Sequence, residues 1–379
     1  MIGEFRLDVP QADLDDLRDR LERTRWPRVL PGADDWSRGV PVGYLQQVVR
    51  YWLDDYDWRR WEARLNAFPQ FTTTIDDQLI HFLHVRSPEP GALPLILTHG
   101  WPGSIAEFLE VVGPLTDPRG HGGDPADAFH VVAPSVPGHG FSVPLDRPGW
   151  DHLRIAHAWS TLMDRLGYQR YVAQGGDTGS VVSPLLGRIA PDRVLGVHIN
   201  GGLAFPAAEP GDFDHLDPRD QAKLAFAEHV RATGTAYADL QSTKPQTISF
   251  ALSDSPVGQL AWILEKFHDW TDPARPLTDQ PAALDHLLTD VTLYWLTNTS
   301  ATSANLYYEN RTSTTPEPPP SSVPTGVAVF PTDPAMRHIL ARTHHLTHWT
   351  EHDQGGHFAA LETPTTLVQD LRTFCRPLR

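Results

Sequence analysis

This sequence predicts an α/β protein: a mostly parallel sheet flanked by helices, with a helical lid and an N-terminal helical extension. Three observations carry that reading. Short apolar runs alternate with helical patterns from about residue 79, the alternation stops after Gly202, and it resumes at Gly326. Strands alternating with helices form βαβ units and hence a parallel sheet. A helical block inserted between two parts of one such sheet covers its C-terminal edge, where open α/β folds bind ligands. The implied segments are 1–90, an extension wrapping the core; 91–203, the first part of the core; 204–319, the lid; and 320–379, the second part of the core.

Residues 10–26 read as a helix, with Leu14, Leu17 and Leu21 on one face and Asp16 spaced to pair with Arg20. Trp26-Pro27 ends it, because the residue before proline avoids helical angles. A second helical stretch runs from Val42 to about Ala67. Five of the twelve tryptophans fall within the first 61 residues, as expected of a segment clamped onto a larger body. Strand-like runs follow at Leu79–Val85, Leu93–Leu97, His130–Ala133, Tyr171–Ala173 and Val194–Ile199. Helical patterns lie between them at Ile105–Val112, Ile155–Leu166 and Ser180–Ile189. In the lid, Ala222–Val230, Val257–Phe267 and Ala282–Leu296 are the clearest helices, and the Pro/Ser/Thr-rich stretch Arg311–Pro324 reads as a returning linker. Gly326–Phe330, His345–Thr350 and a helix over Pro364–Phe374 complete the core.

The net charge of −16 disfavours nucleic acid and anionic membranes as partners. The single cysteine, Cys375, forms no internal disulfide, the N-terminus is too charged for a signal peptide, and no apolar run has the length of a membrane span. A cytoplasmic protein with no membrane partner is the simple expectation, with a homodimer as one option.

The chemistry begins at Gly175-Gly176-Asp177-Thr178-Gly179, directly after the run Tyr171–Ala173 and before a helix. Gly-x-nucleophile-x-Gly at a strand–helix junction is the nucleophile elbow of an α/β-hydrolase fold. The nucleophile position holds an aspartate. A carboxylate attacks carbon bearing a leaving group and becomes an ester that water must hydrolyse, which points to epoxide opening or halide displacement. His99-Gly100-Trp101-Pro102-Gly103-Ser104 also follows a strand; the Trp101 and Thr178 amides there would form an oxyanion hole. Gly355-Gly356-His357-Phe358 follows the last strand and supplies the general base, and Asp333, after the strand before it, supplies the acid that orients His357. Asp353 is the rival acid, but it lies on the histidine's own loop. His344, His345, His348 and His352 lack a metal-binding pattern with carboxylates and read as a helix end and a strand. No metal or organic cofactor is expected.

Taken together these motifs resemble the microsomal-type branch of epoxide hydrolases over nearly the whole chain. The resemblance rests on the elements just quoted, on Pro137-Gly-His-Gly-Phe-Ser142, and in the lid on Lys244-Pro245, Asp254–Gly258 and Trp262–Phe267. It implies two lid tyrosines that donate hydrogen bonds to the epoxide oxygen, falling on Tyr237 and on Tyr307, with Tyr308 the alternative if the helix register differs by one. Trp101, His139, Phe141 and Tyr308 are the expected substrate contacts. His139 replaces an aromatic, and Asp333 stands where this branch often has glutamate. The resemblance extends to soluble members that detoxify epoxides or serve antibiotic biosynthesis. The expected reaction converts a bulky or aryl epoxide to a vicinal diol through an Asp177 ester, with His357 and Asp333 activating water. The alternatives are a haloalkane dehalogenase-type enzyme, which typically carries tryptophan where this chain has Thr178, and a non-catalytic ligand-binding relative.

Overall fold

The computed structural model describes residues 1–32, 35–201 and 209–379. Among these, nine strands form one sheet: β1 (Gly3–Phe5), β2 (Gln70–Ile75), β3 (Gln78–Val85), β4 (Leu93–Thr98), β5 (Phe129–Pro134), β6 (Tyr171–Gly175), β7 (Val194–Asn200), β8 (Pro324–Val329) and β9 (His345–Glu351). Their spatial order is β1-β2-β3-β5-β4-β6-β7-β8-β9. The first three strands and the β3–β5 pair are antiparallel, and every pair from β5 to β9 is parallel. The central strands β4 and β6 are covered on both faces, which explains why they read as apolar runs without alternation. The chain passes from β4 outward to β5 and then crosses back to β6 on the other side. The C-terminal ends of β4 and β6 therefore flank a topological switch point, the usual ligand crevice of such sheets.

Helices cover both faces. His152–Arg165 and Thr178–Ile189 pack on one, burying Trp159, Leu162, Val182 and Leu186. Leu109–Thr116 and Pro364–Cys375 pack on the other, where Trp58, Trp61 and Leu65 of the N-terminal segment join them. The stretch 42–67 is two helices, Val42–Asp54 and Trp58–Leu65, where one was expected. The break is chemical: the Asp57 carboxylate accepts the Arg59 and Arg60 amides at 2.9 and 3.3 Å, capping the second helix. Residues 70–85, expected within an extension, instead form β2 and β3 of the sheet itself.

The lid contains helices Pro218–Thr233, Ala236–Thr243, Pro245–Asp254, Pro256–Asp269, Pro281–Leu296 and Ser300–Thr312. Four of them open with proline, whose missing N–H costs nothing in a first turn. The N-terminal helices clamp the lid as well as the core. Leu17, Leu21, Val48 and Trp52 share one apolar cluster with Leu260, Ile263, Leu264 and Val291. Tyr44 and Tyr51 donate to the Thr278 carbonyl and the Asp285 carboxylate at 2.7 and 2.8 Å.

His348 and His352, with His198 from β7, surround the buried Asp370 at 2.9, 3.2 and 2.9 Å, tying the last helix to the sheet. No described helix is long and apolar enough to cross a membrane.

Candidate active site

Asp177 stands at the turn between β6 and helix Thr178–Ile189 with φ +52° and ψ −123°. A non-glycine residue held there stores on the order of 1–3 kcal/mol of strain, which the tight packing of the turn maintains. Gly179 is compelled by that packing, because a Cβ at this position would overlap the Thr98 carbonyl of β4. Gly100 is compelled by the site itself: a Cβ there would overlap the Asp177 carboxylate.

The two carboxylate oxygens of Asp177 have different surroundings. Oδ1 accepts the Trp101 amide at 3.0 Å and the Thr178 amide at 2.7 Å. Oδ2 lies 3.3 Å from His357 Nε2. Burial alone would raise the pKa of Asp177, but the His357 hydrogen bond and charge, with the two amides, outweigh it and hold the group below the usual carboxylate range. The side chain is therefore an ionised carboxylate with one oxygen anchored and the other directed at the imidazole.

The His357 loop is stitched to the lid. The His357 N–H donates to the Trp270 carbonyl at 2.9 Å, and Thr332 Oγ1 donates to the same oxygen at 3.0 Å. Asp272 Oδ2 accepts the Gly355 amide at 3.0 Å, while the Glu362 carboxyl accepts the Phe358 and Asp272 amides at 3.0 and 2.7 Å. Asp333 follows β8, is buried, and accepts the Ala335 amide at 2.9 Å; it borders the same cavity as Asp177 and His357.

Above the carboxylate, Tyr237 stacks on Trp101 at 5.0 Å and an 11° tilt, and Tyr307 meets Trp101 edge-on at 6.0 Å. The two phenols share a hydrogen bond. Burial raises the pKa of both, and the Asp177 charge raises them further, so both keep their protons. The cavity beneath the lid measures about 280 Å³ and is walled by Phe226, Val230, Ala238 and Trp270 as well as Tyr237.

A model described as the epoxide hydrolase N terminus matches residues 2–108, and one described as the alpha/beta hydrolase fold matches residues 94–367. The pig protein Epoxide hydrolase 1 is 36% identical, aligning over 98% of this chain and 88% of its own. The chain belongs to the epoxide hydrolase family. A Stigmatella aurantiaca protein is 47% identical over 100% of the hydrolase and 86% of its own length. The solved epoxide hydrolase of Aspergillus niger superposes with a TM-score of 0.88 at 34% identity, covering 100% of this chain and 97% of its own.

Three of the expected substrate contacts lie elsewhere in the hydrolase. Tyr308 is 41% exposed on the outer face of its helix, so Tyr307 is the residue that faces Asp177. Phe141 packs against Phe5 and His81 at 5.1 Å each, on the β1 side of the sheet. His139 is wholly buried, against His99 and Tyr294. Trp101 is at the site, but as the wall on which both tyrosines rest. Sequence reasoning missed Trp270, Lys266 and Glu362. Lys266 Nζ lies 4.6 Å from the Tyr237 ring and is almost fully enclosed. Lys266 sits inside the quoted lid stretch Trp262–Phe267 and Trp270 just beyond it, so the signal was present without an assigned role. Glu362 carried no signal, since its partners are backbone amides.

Proposed function

We propose that this hydrolase opens a bulky, apolar epoxide to a vicinal diol through a covalent ester on Asp177. One observation carries the reading: an ionised Asp177 has Oδ1 held by two amides and Oδ2 beside His357, in an apolar cavity walled by the protonated phenol Tyr237, against which the protonated Tyr307 packs edge-on. Asp177 Oδ2 attacks an epoxide carbon and the C–O bond opposite breaks. The departing oxygen takes a proton from one of the two phenols, leaving a phenolate. Water then adds to the ester carbonyl, giving its proton to His357, which Asp333 orients. The oxyanion forms where the Trp101 and Thr178 amides already point. Collapse expels the alkyl oxygen, which takes the imidazolium proton, and the regenerated carboxylic acid returns its proton to the phenolate.

A departing halide takes no proton, so the paired phenols favour an epoxide over a haloalkane. The apolar cavity walls support an aryl or other bulky hydrocarbon substituent on the epoxide, whether the setting is detoxification or biosynthesis.

The test is to trap the ester. His357→Gln is expected to show one substrate mass added to the intact protein after exposure to styrene oxide or a larger aryl epoxide, and Asp177→Asn is expected to show none and to be inactive. An unmodified His357→Gln, or solvent oxygen in the first diol formed by native enzyme in heavy-oxygen water, would overturn the covalent route.

A further inference from the structure

Asp177 and His357 stand between two cavities. The larger lies under the lid; behind them is a small chamber, also bordered by Glu107, Gln174, Asn200 and Ala360, with about 20 Å³ open to the centre of a water molecule. That is room for one water, which needs polar partners to occupy it. The walls supply them. Glu107 lies in the turn Ile105–Phe108, its carboxyl accepting the Ser104 amide and lying so close to Gly103 that a Cβ there would overlap it. Gln174 Nε2 donates to Asn200 Oδ1 at 2.8 Å, fixing the opposite wall.

The ester chemistry poses a problem of space. Once the substrate is attached to Asp177 it fills the apolar cavity, yet water must still reach the carbonyl carbon and His357. The rear chamber touches both residues without crossing the substrate's volume. We infer that the chamber holds the water that discharges the ester, and that Glu107 positions it by accepting one of its hydrogens while His357 removes the other. This rests on the Asp177 ester proposed above. The bonds are those of that second step: water oxygen joins the carbonyl carbon, the alkyl oxygen leaves, and Glu107 itself neither gains nor loses a proton. Burial, and then the charges of Asp290 and Asp177, push the Glu107 carboxyl well above the ordinary range. A neutral carboxyl accepts the water's hydrogen bond without placing a second negative charge beside the developing oxyanion.

Rapid-quench intact-mass measurements on the full chain separate the two half-reactions. Glu107→Met keeps the length and deletes the acceptor; it is expected to form the ester at the native rate and discharge it at least about tenfold more slowly, the scale of one hydrogen bond. Glu107→Gln retains a carbonyl oxygen and is expected to discharge it within about threefold of native. Ala360→Val, which narrows the chamber while leaving the Glu107 carboxyl in the chain, should reproduce the slow discharge, and serves as the test if Glu107→Met does not fold. Native discharge in Glu107→Met or, where that variant does not fold, in Ala360→Val, or equal losses in formation and discharge, would overturn the inference. No adduct in His357→Gln would instead overturn the ester; an adduct there with native discharge in Glu107→Met would reject the chamber alone.

Discussion

Tyr237 and Tyr307 show how much depends on the direction of one side chain. Each is partly buried near Asp177 and keeps its proton, and in the proposed reaction each phenol donates to the epoxide oxygen. Losing one hydrogen bond to a developing charge in a water-poor site costs about 1.5–3 kcal/mol, or about ten- to a hundredfold in rate. Tyr237→Phe and Tyr307→Phe are each expected to slow ester formation by that factor in single-turnover measurements, and Tyr308→Phe to leave it unchanged. The sequence named both tyrosines, but it left Tyr307 and Tyr308 open because adjacent helical residues differ by about 100° in direction, and only packing decides which faces inward. That Asp177, His357 and the Trp101 and Thr178 amides lie together was legible because strand ends fix their positions. His139 and Phe141 were misplaced because a Gly-rich loop carries no periodicity from which to read a side chain's direction.

The element that binds site to lid is the loop carrying His357. It is held by Trp270, Asp272 and Glu362, and the last of these adds a pH dependence. Burial raises the Glu362 carboxyl from 4.5 to about 7, despite the two amides that favour its ionised form. The unfolded chain loses this proton near pH 4.5 and the folded chain near 7. The site's contribution to stability is therefore flat below 4.5, falls as pH rises to about 7, and is constant above. Glu362→Gln has no such titration. In urea unfolding, the stability difference should shift in favour of Glu362→Gln between pH 5 and pH 8, by on the order of 3 kcal/mol. An unchanged difference would mean that Glu362 titrates normally in the fold. At this scale the parallel strands were readable as apolar runs. β1 and β2 were not, because their pairing, such as Gly3 with Thr72, joins distant segments and β2 carries three threonines.

For the whole molecule, the segment read from the sequence as an extension is fused into the sheet itself. Residues 1–90 supply three strands to the sheet, two tryptophans to one face of its core, and helices that hold the lid. Trp61→Ala is accordingly expected to destabilise the entire protein by about 3–5 kcal/mol, the cost of emptying a buried aromatic site. Denaturant unfolding followed by circular dichroism checks this; an unchanged main transition would mean that the N-terminal segment melts independently.

The lid is inserted between β7 and β8, so the polypeptide leaves the sheet at Asn200 and rejoins it at Pro324. In the proposed mechanism a ribosome therefore delivers the attacking aspartate long before the imidazole that releases it. An interrupted or nicked product that still exposed Asp177 to an epoxide would be alkylated once and stay alkylated, so completeness of synthesis is itself a safeguard against a self-inactivating fragment.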